Sequence, residues 1–188
     1  MFAGILDGKG YVIKNAKGTN GFFYGINNAT IKNIGFVNLI RDTYNGGGSL
    51  VNEATGANVV ENVYIQVKFT SYAGSTLAGF ASICEGTYTN VVVEADFASN
   101  PNAYNAWGIS CNVNKAPTLN NCYVISTNSN GNLFCNAIVE KNPVINNSKL
   151  YTSKNAFTTD SASLKANFAD EYWKLDSNGT LVFKNAVA

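Results

Sequence analysis

A chain of 188 residues, 46% hydrophobic and 13% charged, is long enough to bury roughly two-thirds of its unfolded surface without disulfide or metal staples. Its formal net charge of +1, with Arg41 as the single arginine, leaves no basic field for backbone-driven binding of nucleic acid. Histidine is absent, which excludes imidazole as general base or metal ligand, and with it Ser-His hydrolysis and His-ligated zinc. No apolar run approaches the ~18 residues of a membrane span, so no membrane insertion is expected. Met1-Phe2-Ala3-Gly4 opens without the basic-then-apolar pattern of a secretion signal. The anomaly is asparagine, with 29 residues.

Along the chain an aliphatic or aromatic residue, one spacer and an asparagine recur: Ile13-Lys14-Asn15, Ile31-Lys32-Asn33, Val60-Glu61-Asn62, Tyr88-Thr89-Asn90, Leu119-Asn120-Asn121 and Ile145-Asn146-Asn147. The asparagines are 18, 29, 28, 31 and 26 residues apart, too irregular for helical repeats and close to one turn of a β-solenoid with variable loops. Registered on the asparagine, the next position carries Ile34, Val63, Val91 and Cys122, and the third carries Phe36, Ile65, Val93, Val124 and Leu150. The second and fourth positions are mixed: Gly35, Tyr64, Val92, Tyr123 and Lys149, then Val37, Gln66, Glu94, Ile125 and Tyr151. Alternation with period two, repeated in register, predicts strands with one face inward. A second strand is predicted in each coil after a bend, over 21–26, 48–53, 79–84, 108–113 and 132–137. Columns stacked ~4.8 Å apart bring Asn15, Asn33, Asn62, Asn90, Asn121 and Asn147 into a ladder at one corner. There each amide satisfies those above and below and tolerates a left-handed bend, so these asparagines are structural.

Phe2-Ala3-Gly4-Ile5-Leu6-Asp7-Gly8-Lys9-Gly10-Tyr11-Val12-Ile13-Lys14-Asn15, followed by Gly21-Phe22-Phe23-Tyr24-Gly25 and Ala29-Thr30-Ile31-Lys32-Asn33-Ile34-Gly35, resembles the coil pattern of adhesin-like bacterial surface proteins with GLUG-type repeats. The resemblance implies an all-β fold, a right-handed single-stranded parallel β-helix of about five coils over residues 2–157, on an extracellular or cell-surface protein. Gly79-Phe80-Ala81-Ser82, Gly108-Ile109-Ser110-Cys111 and Asn132-Leu133-Phe134-Cys135 depart from the family's glycine-leucine-x-glycine core. In the family the opening segment follows further coils or a cap. Upstream coils or a partner chain are therefore expected to cover the first coil, whose edge and core are otherwise bare.

Carboxylates decide whether such a solenoid is a polysaccharide lyase or hydrolase, because that chemistry needs them clustered, to hold calcium or as an acid–base pair about 5–9 Å apart. The columns place Glu94 over Gln66 and Asp96 over Lys68, with no two carboxylates on neighbouring coils. Arg41, Asp42, Glu94 and Asp96 are the residues a catalytic reading would test first, with Arg41-Asp42 aligned on Thr70-Ser71 at a loop start. The expectation is no catalysis, no metal and no cofactor. Tyr64, Tyr123 and Tyr151 are expected to project outward from one sheet, and Tyr44, Tyr72 and Tyr104 to lie in bends. Exposed tyrosines beside amides suit the stacking of sugar rings and are equally good strand formers on a half-exposed sheet. A glycan or host-surface ligand is the partner they would take. Cys84, Cys111, Cys122 and Cys135 have no C-x-x-C spacing. Cys111 and Cys135 share a column within bridging distance, but free, buried thiols are expected.

Residues 158–188 read as a cap. Asp160 is expected to N-cap a short helix carrying Leu164 and Phe168 on one face. Asp176-Ser177-Asn178-Gly179 turns a hairpin between 172–175 and 180–184, and Trp173 plugs the last coil. The expected function is a non-enzymatic structural or adhesion module of a bacterial cell-surface or secreted protein, with weak glycan contact. The alternatives are a phage or virion fibre or decoration protein, and a polysaccharide lyase or hydrolase.

Overall fold

A computed structural model describes residues 1–42, 47–70, 77–97, 106–107, 109–112, 115–126 and 141–186. The chain winds into a parallel β-solenoid of about four turns. The long sheet stacks Ile5–Asp7, Thr30–Arg41, Val59–Phe69, Thr87–Asp96, Thr118–Asn120 and Val144–Asn146 in that order. Val12–Lys14 and Lys17–Gly18 also pair with Thr30–Arg41, while Tyr123–Ile125 joins Thr87–Asp96 to Lys149–Tyr151. A second sheet holds Phe23–Asn27, Val51–Thr55, Ala81–Cys84 and Ser110–Asn112, as the bend-and-strand pattern predicts. The second strand expected over 132–137 lies outside the described residues. A third, short sheet of Gly47–Gly48, Leu77–Ala78 and Ala106–Trp107 was not anticipated.

The asparagine bends set the inward parity. Asn33, Asn62, Asn90, Asn121 and Asn147 all adopt φ between 47° and 56°, a left-handed conformation that asparagine tolerates better than other side-chain-bearing residues. On either side of each bend the chain points inward, so that Ile31, Val60, Tyr88 and Leu119 precede it in the core and Ile34, Val63, Val91 and Cys122 follow it. Phe36, Ile65, Val93 and Val124 form the next buried layer.

The ladder itself runs Asn147 to Asn121, Asn121 to Asn90, Asn90 to Asn62 and Asn62 to Asn33, each Nδ2 donating to the Oδ1 below at 2.8–3.2 Å. At its foot stands Asp7, not Asn15: Asn33 Nδ2 donates to Asp7 Oδ1 at 3.1 Å. Asn15 belongs to a second, two-rung ladder, accepting from Asn38 Nδ2 at 2.7 Å, because Val12–Lys14 pairs with the Gly35–Val37 stretch rather than with Ile31–Asn33. Asn38 sits in a β-bulge between Phe36 and Leu39, with φ 55°.

The C-terminal segment is a lateral strap rather than an end cap. Its helix is Lys154–Leu164, capped by Ser153, whose Oγ accepts from the Ala156 N–H at 3.2 Å. Asp160 is thus inside the helix, where it takes Lys149 and the Tyr151 hydroxyl, and not at its start. The helix begins at Lys154, inside the 2–157 span expected for the coils. A 3-10 turn over Lys165–Asn167 leads to Phe168 and then to the hairpin of Trp173–Leu175 and Leu181–Phe183. The hairpin is closed by Asp176, whose Oδ1 accepts from the Asn178 and Thr180 N–H groups, with Gly179 at φ 80°.

Candidate functional site

The outer face of the long sheet is where the candidates gather. Gly35, Tyr64, Val92 and Tyr123 stack in one register column, and Glu94, Ile125 and Tyr151 in the next. Tyr64, Tyr123 and Tyr151 stand on the outward side of the strands, as expected, but they are not exposed. All three are at most 3% exposed, because the strap lies across them. Trp173 meets Tyr64 edge-on at 6.3 Å, Phe168 lies 6.0 Å from Tyr123, and Phe157 lies 5.2 Å from Tyr151. Trp173 accordingly seals the flank of an early coil and does not plug the last one. The strap ends at the first coil, where Asn185 Nδ2 donates to Gly10 O at 2.8 Å. Burial raises the Tyr64 hydroxyl well above the usual tyrosine value, with Glu94 adding to it, and pushes Tyr123 up to about 12. No sugar ring reaches these three tyrosines from solvent. Tyr44, Tyr72 and Tyr104 lie outside the described residues.

Beside the strap an open groove of about 420 Å³ remains, lined by Gln66, Lys68, Glu94, Asp96, Ser126 and Lys154 among others. The registers Glu94 to Gln66 and Asp96 to Lys68 are those expected from the columns. Glu94 and Asp96 lie two residues apart on one strand and so share a face of the sheet. Glu94 Oε1 accepts from the Tyr64 hydroxyl at 2.8 Å, and Lys154 Nζ lies 3.2 and 3.0 Å from its two oxygens. Lys154, brought over the sheet by the first turn of the helix, is the residue of this groove that column analysis could not find. Among the described residues, no group of three or more Cys, Asp or Glu side chains could hold a metal ion.

Arg41 and Asp42 do not join this groove. Asp42 pairs with Lys17 at 3.9 Å on the surface. Arg41 is inverted relative to expectation: it registers with Phe69, not Thr70, and its side chain is buried inside the solenoid. The extra residue of the bulge before Leu39 causes this, since a one-residue shift moves every later side chain to the opposite face. Its Nε donates to Gly48 O at 3.1 Å, and burial lowers the guanidinium to about 10, still charged at neutral pH. Cys84 and Cys122 are buried and in no disulfide, and burial pushes the Cys122 thiol up to about 12. Cys135 and the side chain of Cys111 lie outside the described residues.

No family model matches this chain, and neither the curated proteins nor the solved structures contain a match to it.

Proposed function

We propose that the chain is a non-enzymatic structural module of an adhesin-like bacterial surface protein of the GLUG-repeat kind, a rigid β-solenoid spacer standing outside the cell. The observation that carries this reading is the state of Glu94. The carboxylate of the groove beside the strap is taken up by Tyr64 and Lys154, which supports a role in tying the strap to the sheet over one as an acid or base. The continuous amide ladder and the sealed sheet face support the same role, because both stiffen the coil stack. Gln66, Lys68 and Asp96 offer the polar groups for glycan contact, in place of the buried tyrosines.

The test is a cleavage and binding screen of the purified chain against pectins, alginate and host glycans, together with its native mass. A monomer that cleaves nothing is the expected result. Cleavage that disappears in Glu94→Gln would make the protein an enzyme, and a symmetric oligomer with solenoids side by side would move it to the virion-fibre class.

A further inference from the structure

One interior column of the solenoid ends in a charge. Phe97 and Phe69 stack at 4.9 Å with their rings nearly parallel, and the next rung in register with Phe69 is Arg41. The rung below Arg41 is Gly18, which has no side chain. Residues paired in a parallel ladder point to the same face, so Arg41 looks toward the space that a side chain at position 18 would fill. That space is a cleft of about 230 Å³ lined by Gly18, Lys17, Asn20, Gly21, Arg41 and Ser49 among others. It opens to solvent past Lys17, Gly18 and Asn20, all of them exposed.

Arg41 is 2% exposed, and a buried guanidinium normally has a carboxylate partner. None of the ion pairs among the described residues involves Arg41. Its donors meet neutral oxygens: Nε reaches Gly48 O at 3.1 Å, and Nη2 reaches Asn52 Oδ1 at a long 3.5 Å. Nη1 has no hydrogen-bond partner among the described residues. Leaving a buried charged donor unpaired is expensive, and the missing component has a defined chemistry: a negative acceptor small enough for the cleft, able to lie against a planar fork of N–H groups.

We propose that the cleft at Gly18 and Arg41 is an oxyanion site, which takes one carboxylate or sulfate group, either as the free ion or carried on an acidic saccharide. Arg41 is the donor, because Lys17 at the rim is already paired with Asp42 at 3.9 Å. The site lies at the first-coil end of the solenoid, away from the groove of Glu94, and is independent of the structural role argued above.

The experiment measures Tm of the full chain against sodium acetate, sodium sulfate and glucuronate at constant ionic strength, with chloride as the balancing ion. Sulfate stabilises folded proteins generally, so the readout is the difference between the native chain and Arg41→Gln. A saturable rise of about 5–10 °C at a hundredfold excess over Kd, absent from Arg41→Gln, is the expected result. Equal response to the free ions and glucuronate assigns a simple oxyanion site, and a stronger response to glucuronate assigns an acidic saccharide. Gly18→Asp keeps the test decisive should Arg41→Gln fail to fold. A Cβ at Gly18 meets nothing closer than Asn20 O at 3.8 Å, so the new carboxylate enters the cleft freely. That variant should melt higher than the native chain without added anion and should no longer respond to it. Parallel titrations in the native chain and Arg41→Gln, or in the native chain and Gly18→Asp, would overturn the proposal.

Discussion

Replacing Asn62 with alanine and with glycine separates the two tasks of a ladder asparagine. Its Nδ2 donates to Asn33 Oδ1 at 3.1 Å and its Oδ1 accepts from Asn90 Nδ2 at 3.2 Å, at a site only 6% exposed. Either substitution removes both bonds and strands one acceptor on Asn33 and one donor on Asn90. At ~0.5–1.5 kcal/mol net per bond, the loss is about 1–3 kcal/mol. Glycine keeps the backbone free at φ 52°, whereas alanine must hold a left-handed conformation at about 1–2 kcal/mol. Glycine offsets part of that difference through the larger entropy of its unfolded chain, ~0.5–1 kcal/mol. Asn62→Gly should therefore cost about 1–3 kcal/mol and Asn62→Ala somewhat more, which for a chain of this size lowers Tm by roughly 2–4 °C per kcal/mol. Equilibrium urea denaturation and thermal melting followed by far-ultraviolet circular dichroism measure both. A glycine variant as stable as the native chain would refute the ladder as a source of stability and leave only its backbone role.

Trp173→Ala should cost about 3–5 kcal/mol and release the strap, raising the reactivity of Tyr64 and Tyr123 in limited nitration, while Trp173→Phe should cost much less because the buried indole N–H has no partner to lose. At acid pH the foot of the ladder becomes the sensitive point. The Asp7 carboxyl is held below its ordinary 3.8 by the Lys9 N–H first, then by Asn33 and the nearby Lys32. The stability it adds is therefore complete above pH ~4 and is lost as pH falls through the lowered folded value. Asp7→Ala should flatten that part of the acid-stability curve, and an unchanged curve would remove Asp7 from the ladder.

The coils were legible because a period of two tied to one asparagine per turn leaves little freedom: Val63, Val91 and Cys122 had to share a face, and Glu94 had to lie over Gln66. Departures arose where one residue changed the count. The bulge at Asn38 moved Arg41 from the expected register with Thr70 to one with Phe69, in the interior, and the short first coil gave Asn15 a different partner from the other asparagines. Nothing local in Tyr64 or Tyr123 could announce that a segment more than 30 residues downstream covers them, and for Tyr151 the cover begins only at Phe157; only the clustering of aromatic residues at outward positions hinted at a hidden interface. The groove was half legible for the same reason, with its sheet residues placed correctly and Lys154 of the strap unforeseen.

The strap also changes how the molecule should come apart. In a plain solenoid each coil touches only its neighbours, so stability accumulates unit by unit and the ends fray first. Here one segment binds the outer face at Tyr151, Tyr123, Tyr64 and Gly35 in turn and closes on Gly10, so the terminal coils share a fastening with the middle ones. Opening either end means lifting Phe157, Trp173 or Phe183 from its seat. Local unfolding in this chain is thereby coupled across the whole stack, and amide exchange in the first and last described rungs should approach the rate of global unfolding instead of running ahead of it.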